Sequence, residues 1–320
     1  MTNLVTLEDL RAAQKRIAGT AVRTPLLPSL HGAADRPLWL KPESLQPIGA
    51  FKIRGAYNAI AALTDAERSR GVVAHSSGNH AQAVAYAARL FGARAVIVMP
   101  DTTPRIKIDA TRALGAEVVM VTPDRRDSAA AELAEEHGYA FVPPYDDARI
   151  IAGQGTAGLE IIEDLPTADT VLVPVSGGGL ISGIAAAVKL TSPHTKVIGV
   201  EPELAADAAE SFRTGVRTTW TTGQTYRTIA DGLRTTSVGV LPFAHIQAYV
   251  DDIVTVSEDQ IREAMRFLAR RARLVAEPAG AVATAAYLFR ADVLPAGRAH
   301  VAVVSGGNVD PALFAEVPAG

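Results

Sequence analysis

Short apolar runs alternate with helical segments along most of the chain, beginning near residue 72. This alternation is typical of βαβ units, which form a parallel sheet covered by helices. The first series therefore predicts one compact α/β unit. Its strands are predicted at 72–75, 95–99, 117–121 and 140–142, and its helices at 79–91, 104–114 and 127–137.

A second series of the same kind begins after residue 153. Two segments interrupt the pattern. Residues 143–150 are rich in Pro and Asp and predict a crossing between two domains, and residues 211–234 have little periodicity and predict a long loop. The strands of the second series are predicted at 170–173, 196–200, 252–256 and 300–304, and its helices at 180–190, 258–270 and 279–289.

Three of the predicted strands run into turns rich in Ser, Gly and Asn. Such turns leave backbone N–H groups free to bind anions, most strongly at a helix N-terminus. In parallel α/β sheets the C-terminal strand ends are also where ligands bind. The turns are Ser76-Ser77-Gly78-Asn79-His80, Ser176-Gly177-Gly178-Gly179-Leu180 and Ser305-Gly306-Gly307-Asn308.

One lysine stands where a helix is predicted to open, in the segment Gly49-Ala50-Phe51-Lys52-Ile53-Arg54-Gly55-Ala56. A cation there opposes the helix dipole, which favours anions at a helix N-terminus. Burial or a positive local field lowers the pKa of an amine, and the neutral amine can then attack an aldehyde. The alternative from this segment alone is an ordinary helix-start lysine with its ammonium in water.

The composition of the chain excludes several classes of protein. The chain has 320 residues, 20% of them charged, and a formal net charge of −3, so there is no basic field to bind nucleic acid. It has no cysteine, which excludes disulfides, thiolate catalysis and cysteine zinc sites. No apolar stretch is long enough to span a membrane, and the polar N-terminus lacks the core of a signal peptide. These features predict a cytoplasmic protein.

Taken together, these motifs resemble those of the fold-type II pyridoxal-phosphate enzymes, nearest to the serine/threonine dehydratase and serine racemase family. Their order and spacing along the chain carry the resemblance, from Arg23-Thr24-Pro25-Leu26 through Ile151-Ala152-Gly153-Gln154-Gly155-Thr156 to Ser305. The resemblance implies a two-domain α/β fold like that of the tryptophan synthase β chain, with parallel sheets flanked by helices and the active site between the domains. It divides the chain into a large domain of residues 1–48 and 148–320, which includes a strand at 38–41, and a small domain of residues 49–147.

The resemblance also implies roles for particular residues. Lys52 carries the Schiff base to pyridoxal phosphate, Asn79 contacts the 3-oxygen of the cofactor, and Ser305 faces its pyridine nitrogen. A serine hydroxyl cannot hold a pyridinium proton as a carboxylate can, so the nitrogen stays largely neutral and loss of a β-substituent is favoured over transamination. Ala50 stands where many relatives have Ser or Thr. The remaining residues implied at the cofactor are Phe51, Gly177, Gly178, Gly179 and Leu180, and those implied at the substrate are Ser76, Ser77, Gly78, Asn79 and His80.

Ser77 has two interpretations. Plain threonine dehydratases usually carry alanine at this position of the motif, whereas serine racemases carry a serine that acts on the face of the substrate opposite the lysine. A hydroxyl is a poor base without help, because its pKa lies far above 7. The alternative is that Ser76 and Ser77 bind the substrate carboxylate.

A second family marker lies in Glu201-Pro202-Glu203-Leu204-Ala205-Ala206-Asp207. Serine racemases bind a divalent cation through a carboxylate, a backbone carbonyl four residues later and a carboxylate six residues later. Glu201, the carbonyl of Ala205 and Asp207 match that spacing, and oxygen ligands suit Mg²⁺ or Ca²⁺. Without the resemblance, the same residues would be an acidic helix start.

The function expected from the resemblance is β-elimination from L-threonine or L-serine, giving a 2-oxo acid and ammonia, with serine racemisation as a second activity. The main activity could instead be serine racemisation or 3-hydroxyaspartate dehydration. A homodimer acting on a small hydroxy amino acid is expected, and the chain leaves no room after Gly320 for the regulatory domain of biosynthetic threonine dehydratases. A remote alternative is a dinucleotide-binding oxidoreductase, since Gly177, Gly179, Gly183 and Glu201 form a partial fingerprint.

Overall fold

The computed structural model describes residues 4–319 and contains two separate β-sheets surrounded by helices. The strands are β1 (Leu27–Ala33), β2 (Arg36–Pro42), β3 (Val72–His75), β4 (Ala95–Pro100), β5 (Glu117–Val121), β6 (Ala140–Phe141), β7 (Thr170–Pro174), β8 (Lys196–Pro202), β9 (Asp252–Val256) and β10 (His300–Val304).

The helices lie between and around these strands. They are α1 (Leu7–Ile17), α2 (Lys52–Ala61), α3 (Asp65–Arg70), α4 (Asn79–Leu90), α5 (Arg105–Ala113), α6 (Arg126–His137), α7 (Ala148–Asp164), α8 (Gly179–Thr191), α9 (Asp207–Thr214), α10 (Thr222–Thr225), α11 (Val240–Tyr249), α12 (Glu258–Phe267), α13 (Pro278–Phe289) and α14 (Pro311–Ala319).

The larger sheet has six strands in the order β1-β2-β10-β7-β8-β9. Only β1 pairs antiparallel to its neighbour, and the other pairs are parallel. The strand predicted at 38–41 lies in β2, where Leu38 pairs with His300 of β10. This sheet therefore joins a segment near the start of the chain to strands from its second half, as the resemblance implied.

The smaller sheet has four parallel strands in the order β5-β4-β3-β6. Its strands all come from residues 72–141, the region in which the sequence predicts the first βαβ series. Every strand and helix predicted in the two series is present, with ends that differ from the prediction by at most three residues. Helix α12 ends at Phe267 and continues as a π-helical turn to Ala272. No helix among residues 4–319 is long and apolar enough to cross a membrane.

Helix α7 is the main element that the sequence pattern misses. The segment predicted as a crossing is shorter than expected, because Asp147 caps the helix by accepting from the N–H of Arg149 at 2.7 Å. All but a few residues of α7 are buried, so it has no polar face to give an amphipathic period. It packs closely on α8, where a side chain at Gly183 would overlap the carbonyl of Ile151.

The prediction of a plain loop at 211–234 is wrong. Helix α9 continues to Thr214, α10 forms a single turn, and residues Asp231–Leu233 form a 3₁₀ turn. The N-terminus of α10 is closed by a capping box between Thr221 and Gln224, a local signal that outweighs the lack of apolar periodicity. The α10 turn and the 3₁₀ turn contribute residues to the lining of the cavity described below.

Candidate active site

The two sheets border one large cavity, with a volume of about 970 Å³. Its walls come from the segments that follow β3, β7 and β10 and from the start of α2. The C-terminal strand ends of both sheets therefore meet there, as the three turns predicted. All the residues predicted at the cofactor and substrate line this cavity: Phe51, Lys52, Ser76, Ser77, Gly78, Asn79, His80, Gly177, Gly178, Gly179, Leu180 and Ser305.

The lysine segment is joined to the turn after β10 by backbone hydrogen bonds. Ala50 and Gly306 form an antiparallel bridge. The N–H of Phe51 donates to the carbonyl of Ser305 at 3.0 Å, and the N–H of Gly307 donates to the carbonyl of Gly49 at 2.9 Å. Ala50 is fully buried at this bridge. These contacts fix Lys52 relative to Ser305 across about 250 residues of sequence.

Lys52 is the first residue of α2, at the helix opening where the sequence predicts it. Its Nζ donates a hydrogen bond to the carbonyl of Pro144 at 2.7 Å and lies 5.1 Å from the centre of the Phe51 ring. Burial lowers the pKa of Lys52 to about 8. No carboxylate within the described part of the chain forms an ion pair with it. The neutral amine needed to attack an aldehyde is therefore present near neutral pH.

The turn after β3 presents polar groups to the cavity. The Ser76 hydroxyl accepts from the N–H of Gly78 at 3.2 Å, whereas the Ser77 hydroxyl has no hydrogen-bond partner among residues 4–319. His80 is buried, and its Nε2 lies 2.9 Å from the carbonyl of Val142. A carbonyl can only accept, so Nε2 carries a proton. Burial, with a smaller effect from Lys52, lowers the pKa of His80 to about 3, so its imidazole is neutral.

The glycine turn after β7 is built around Tyr145. A side chain at Gly177 would collide with the ring of Tyr145, and Gly178 has a left-handed φ of 90°. Helix α8 begins at Gly179, so its first N–H groups are directed towards the cavity at the positive end of the helix dipole. The turn can therefore bind a phosphate through its backbone.

Ser305 closes the other side of the cavity. It is almost fully buried, and its hydroxyl donates to the carbonyl of Ala279 at 3.4 Å. The cavity therefore brings together an amine of lowered pKa, a helix N-terminus suited to phosphate, and a neutral hydroxyl. This set fits pyridoxal phosphate, whose aldehyde, phosphate and ring nitrogen need those three partners.

The carboxylates predicted to bind a metal lie outside the cavity lining, at the end of β8 and the start of α9. Glu201 accepts from the N–H groups of Ala208 at 3.2 Å and Ala209 at 2.7 Å. Both carboxylate oxygens of Asp207 are buried without a hydrogen-bond partner. Burial raises the pKa of Asp207 to about 7, and burial together with Asp207 raises the pKa of Glu201.

Of the two buried acids, only Asp207 has carboxylate oxygens without a partner, and such oxygens can bind a cation. Among the described residues, no group of three or more His, Asp or Glu side chains could hold a metal ion. The predicted set has only two such side chains, and its third ligand is a backbone carbonyl. The donors present, two carboxylates and a backbone carbonyl, are of the kind that Mg²⁺ or Ca²⁺ accepts.

Sequence reasoning missed two polar features of the cavity. Glu277 accepts a hydrogen bond from Asn79 at 2.7 Å, although its place before an alanine-rich helix resembles an ordinary acidic helix start. Lys107 of α5 forms an ion pair of 2.6 Å with Asp231, and both residues line the cavity. Neither pair is close in sequence, so no local pattern could have revealed it.

Comparison with known proteins identifies the class to which this fold and site belong. Residues 17–306 match the model of a family described as pyridoxal-phosphate dependent enzymes, and the chain belongs to that family. The resemblance to fold-type II enzymes and the fold class are confirmed. The family match argues against the dinucleotide-binding alternative.

Three similar proteins illustrate the range of activities in this group. The L-threonine ammonia-lyase of Thermotoga maritima is 47% identical over 311 residues, which cover 96% of this chain and 76% of that protein. The L-threo-3-hydroxyaspartate ammonia-lyase of Saccharomyces cerevisiae is 41% identical over 319 residues, covering 98% and 97%. The structure of maize serine racemase is 38% identical and superposes with a TM-score of 0.92 over 98% of this chain and 97% of the other.

Proposed function

We propose that this protein is a pyridoxal-phosphate-dependent ammonia-lyase that acts on L-threonine or L-serine. The overall reaction converts the hydroxy amino acid into a 2-oxo acid and ammonia. The observation that carries the proposal is the half-buried amine of Lys52, without a carboxylate partner, in one cavity with a phosphate-binding turn and a neutral hydroxyl. The similarity to a threonine ammonia-lyase over 96% of the chain supports the choice of reaction.

Lys52 would hold the cofactor covalently, and the helix N-terminus at Gly177–Leu180 would bind its phosphate. Asn79 would contact the 3-oxygen, Phe51 would border the bound group beside Lys52, and Ser305 would face the ring nitrogen. When bound, pyridoxal phosphate supplies the electron sink that acidifies the α-hydrogen of the substrate. The Ser305 hydroxyl does not hold a proton on the ring nitrogen as a carboxylate does, which favours loss of the β-hydroxyl over transamination.

Once substrate takes its place on the cofactor, the Lys52 amine would be the base that accepts the α-proton at Nζ. The pKa of about 8 that burial gives Lys52 suits a group that must accept and return a proton near neutral pH. The carbonyl of Pro144, 2.7 Å from Nζ, can orient the amine without adding a negative charge. The turn of Ser76, Ser77, Gly78, Asn79 and His80 at the N-terminus of α4 would bind the substrate carboxylate.

Serine racemisation is a second candidate activity, and one observation favours it. The Ser77 hydroxyl lies at the cavity without a hydrogen-bond partner in the described chain, so it is free to exchange a proton with substrate. Lys52 reaches one face of the planar substrate, and inversion needs a proton donor on the other. If Ser77 is that donor, Ser77→Ala abolishes formation of D-serine and spares elimination from L-serine. Loss of L-serine elimination instead, in a protein that makes no D-serine, would make Ser77 a carboxylate-binding residue.

We also propose that Glu201, the carbonyl of Ala205 and Asp207 bind Mg²⁺ or Ca²⁺. The two buried, unpartnered oxygens of Asp207 support this assignment, because an isolated buried carboxylate is costly unless a cation or proton compensates it. The division into domains of residues 49–147 and of 1–48 with 148–320 is part of the same proposal. A homodimer and a cytoplasmic location stay predictions of the sequence.

A single assay tests the main proposal. Purified protein is incubated separately with L-threonine, L-serine and 3-hydroxyaspartate, and 2-oxo acid, ammonia and D-serine are measured together. We expect stoichiometric 2-oxo acid and ammonia from L-threonine or L-serine, and loss of the visible absorbance after borohydride treatment. Release of D-serine without 2-oxo acid would instead make racemisation the main activity, and product from 3-hydroxyaspartate alone would select that substrate.

A further inference from the structure

Glu277 is a buried acid at the edge of the cavity to which neither the proposed mechanism nor the metal site gives a role. It immediately precedes α13, and only 6% of its surface is exposed. Its Oε1 accepts a hydrogen bond from Asn79 Nδ2 at 2.7 Å, and its backbone N–H donates to the carbonyl of Gly306 at 3.1 Å. Glu277 is therefore fixed by its backbone while its side chain reaches the residue proposed to contact the cofactor.

The orientation of the Asn79 amide follows from one backbone carbonyl. The carbonyl of Ile48 can only accept, so the Asn308 atom 2.8 Å from it must be the donor Nδ2. The same Nδ2 lies 2.8 Å from the Asn79 amide, which must present its oxygen there. The Asn79 nitrogen then faces Glu277, which must accept.

These contacts leave one donor of Asn79 unused. An amide nitrogen carries two hydrogens, and Glu277 accepts one of them. Asn79 lines the cavity, so its second N–H is available to an acceptor bound there. The 3-oxygen of pyridoxal phosphate is such an acceptor, whereas a flipped Asn79 would present its own oxygen and repel it.

The contact between Glu277 and Asn79 also connects the two halves of the site. Asn79 follows β3 of the smaller sheet, while Glu277 and Asn308 flank α13 and β10 beside the larger sheet. Gly306 leaves the space for this contact, because a side chain there would overlap Glu277 Oε1 and come within 3.2 Å of Asn79 Nδ2.

We propose that Glu277 is a positioning residue that, together with Asn308, holds the Asn79 amide with its free N–H towards the 3-oxygen of the cofactor. The proposal rests on the proposed function, since it assumes that pyridoxal phosphate occupies the cavity. The orientation of the Asn79 amide depends on whether a Glu277 oxygen is close enough to accept its hydrogen bond. Burial, with a smaller contribution from Asp231, raises the pKa of Glu277 to about 8, and an oxygen acceptor is present in both protonation states.

Two substitutions of Glu277 distinguish the effect of side-chain length from the effect of an ionisable group. Glu277→Gln keeps the length of the side chain and an acceptor oxygen but cannot ionise. Glu277→Asp keeps the carboxylate but shortens the side chain by one methylene, so it no longer reaches Asn79. The measurements are the dissociation constant for pyridoxal phosphate, the wavelength of the visible band, and kcat and KM separately.

We expect Glu277→Gln to stay within about twofold of the wild type in cofactor affinity and to keep the visible band. Glu277→Asp should weaken cofactor binding about tenfold, the upper end for loss of one hydrogen bond, shift the band, and lower kcat more than it raises KM. Asn308→Ala removes the hydrogen bond that Asn308 donates to the Asn79 oxygen, and it should produce the same shift of the band. It therefore tests the proposal if Glu277→Asp does not fold.

The control is Asp169→Asn at the opposite end of β10, where Asp169 accepts from the N–H groups of Arg298 and Ala299. It should lower the melting temperature without moving the band. The proposal is overturned if Glu277→Asp and Asn308→Ala behave like this control, or if Glu277→Gln behaves like Glu277→Asp. If the wild-type protein does not bind pyridoxal phosphate at all, the proposed function fails first, which is a distinguishable result.

Discussion

Lys52 and Arg54 stand two residues apart on α2, yet their surroundings are opposite. Arg54 is fully buried and donates to both oxygens of Glu43 and both oxygens of Glu160, at distances of 2.7–2.8 Å. Lys41 adds a second cation, 2.6 Å from Glu160, so two positive and two negative charges balance in the cluster. Lys52 has only a backbone carbonyl, and burial lowers its pKa.

The difference separates a structural charge from a reactive one. Paired with two carboxylates, the Arg54 guanidinium keeps its proton, and its removal leaves those carboxylates without their main partner. An unpaired buried amine is destabilised in its charged form and is therefore available for chemistry. Asp207 is the acidic counterpart of Lys52. Its carboxylate oxygens have no hydrogen-bond partner, and burial raises its pKa, which again disfavours the charged form.

The largest effect should come from removing the unpaired amine. Lys52→Ala removes both the covalent attachment of the cofactor and the proposed base, so turnover should fall by about three or more orders of magnitude. The visible absorbance should disappear after dialysis. Because Lys52 has no carboxylate partner, the stability of the cofactor-free protein should change little, as urea unfolding would measure. Normal activity together with retained absorbance would contradict the assignment of Lys52.

The next effect should come from breaking the paired cluster. Arg54→Met leaves Glu43 and Glu160 buried without their main partner, and the free energy of unfolding should fall by about 3–5 kcal/mol. Urea unfolding of the cofactor-free variant, compared with Lys52→Ala, measures the contrast directly. Arg54→Lys is the matched control, since it keeps the charge but cannot bridge both carboxylates. Equal stability of Arg54→Met and the wild type would remove the distinction between the two cations.

A smaller effect is expected at the acidic pair. Chelation should lower the melting temperature or the activity, and Mg²⁺ or Ca²⁺ should restore it. A ligand that binds only the folded state stabilises it by about 2.7 kcal/mol at a hundredfold excess over its dissociation constant. Asp207→Asn should make the melting temperature insensitive to chelator and metal. If chelation changes nothing and no metal copurifies, the acidic helix-start interpretation is correct.

The sequence predicted most of the fold because its strands are continuous apolar runs ended by turn residues. Strands β3, β5, β9 and β10 have the predicted ends. Helix α7 was missed because it is buried on nearly all sides and so has no apolar period. The short helices within residues 211–234 were missed because local capping hydrogen bonds stabilise them, and not an apolar face. Strand β1 and helices α3, α11 and α14 were also not predicted. In each case tertiary contacts or local hydrogen bonds, and not apolar periodicity, determine the structure.

The cavity residues were predictable because each lies in a short motif at a strand end. Their partners were not, since the contacts join residues far apart in sequence. Pro144 approaches Lys52 across 92 positions, Glu277 approaches Asn79 across 198, and Asn308 approaches it across 229. A motif therefore predicts which side chain faces a ligand, but only the folded chain reveals what orients that side chain.

The smallest effect is a pH dependence that distinguishes the buried amine from an ordinary lysine. Burial lowers the pKa of Lys52 to about 8, and only the neutral amine attacks the cofactor aldehyde. The rate at which cofactor-free protein regains its visible band should therefore rise about tenfold per pH unit below pH 8 and level off above it. The same rates measured with Nα-acetyl-lysine, which keeps a free side-chain amine in water, correct for ionisation of the cofactor itself. A rate that continues to rise towards pH 10 would mean that the Lys52 amine is solvated like a surface lysine, and the contrast with Arg54 would then lose its electrostatic basis.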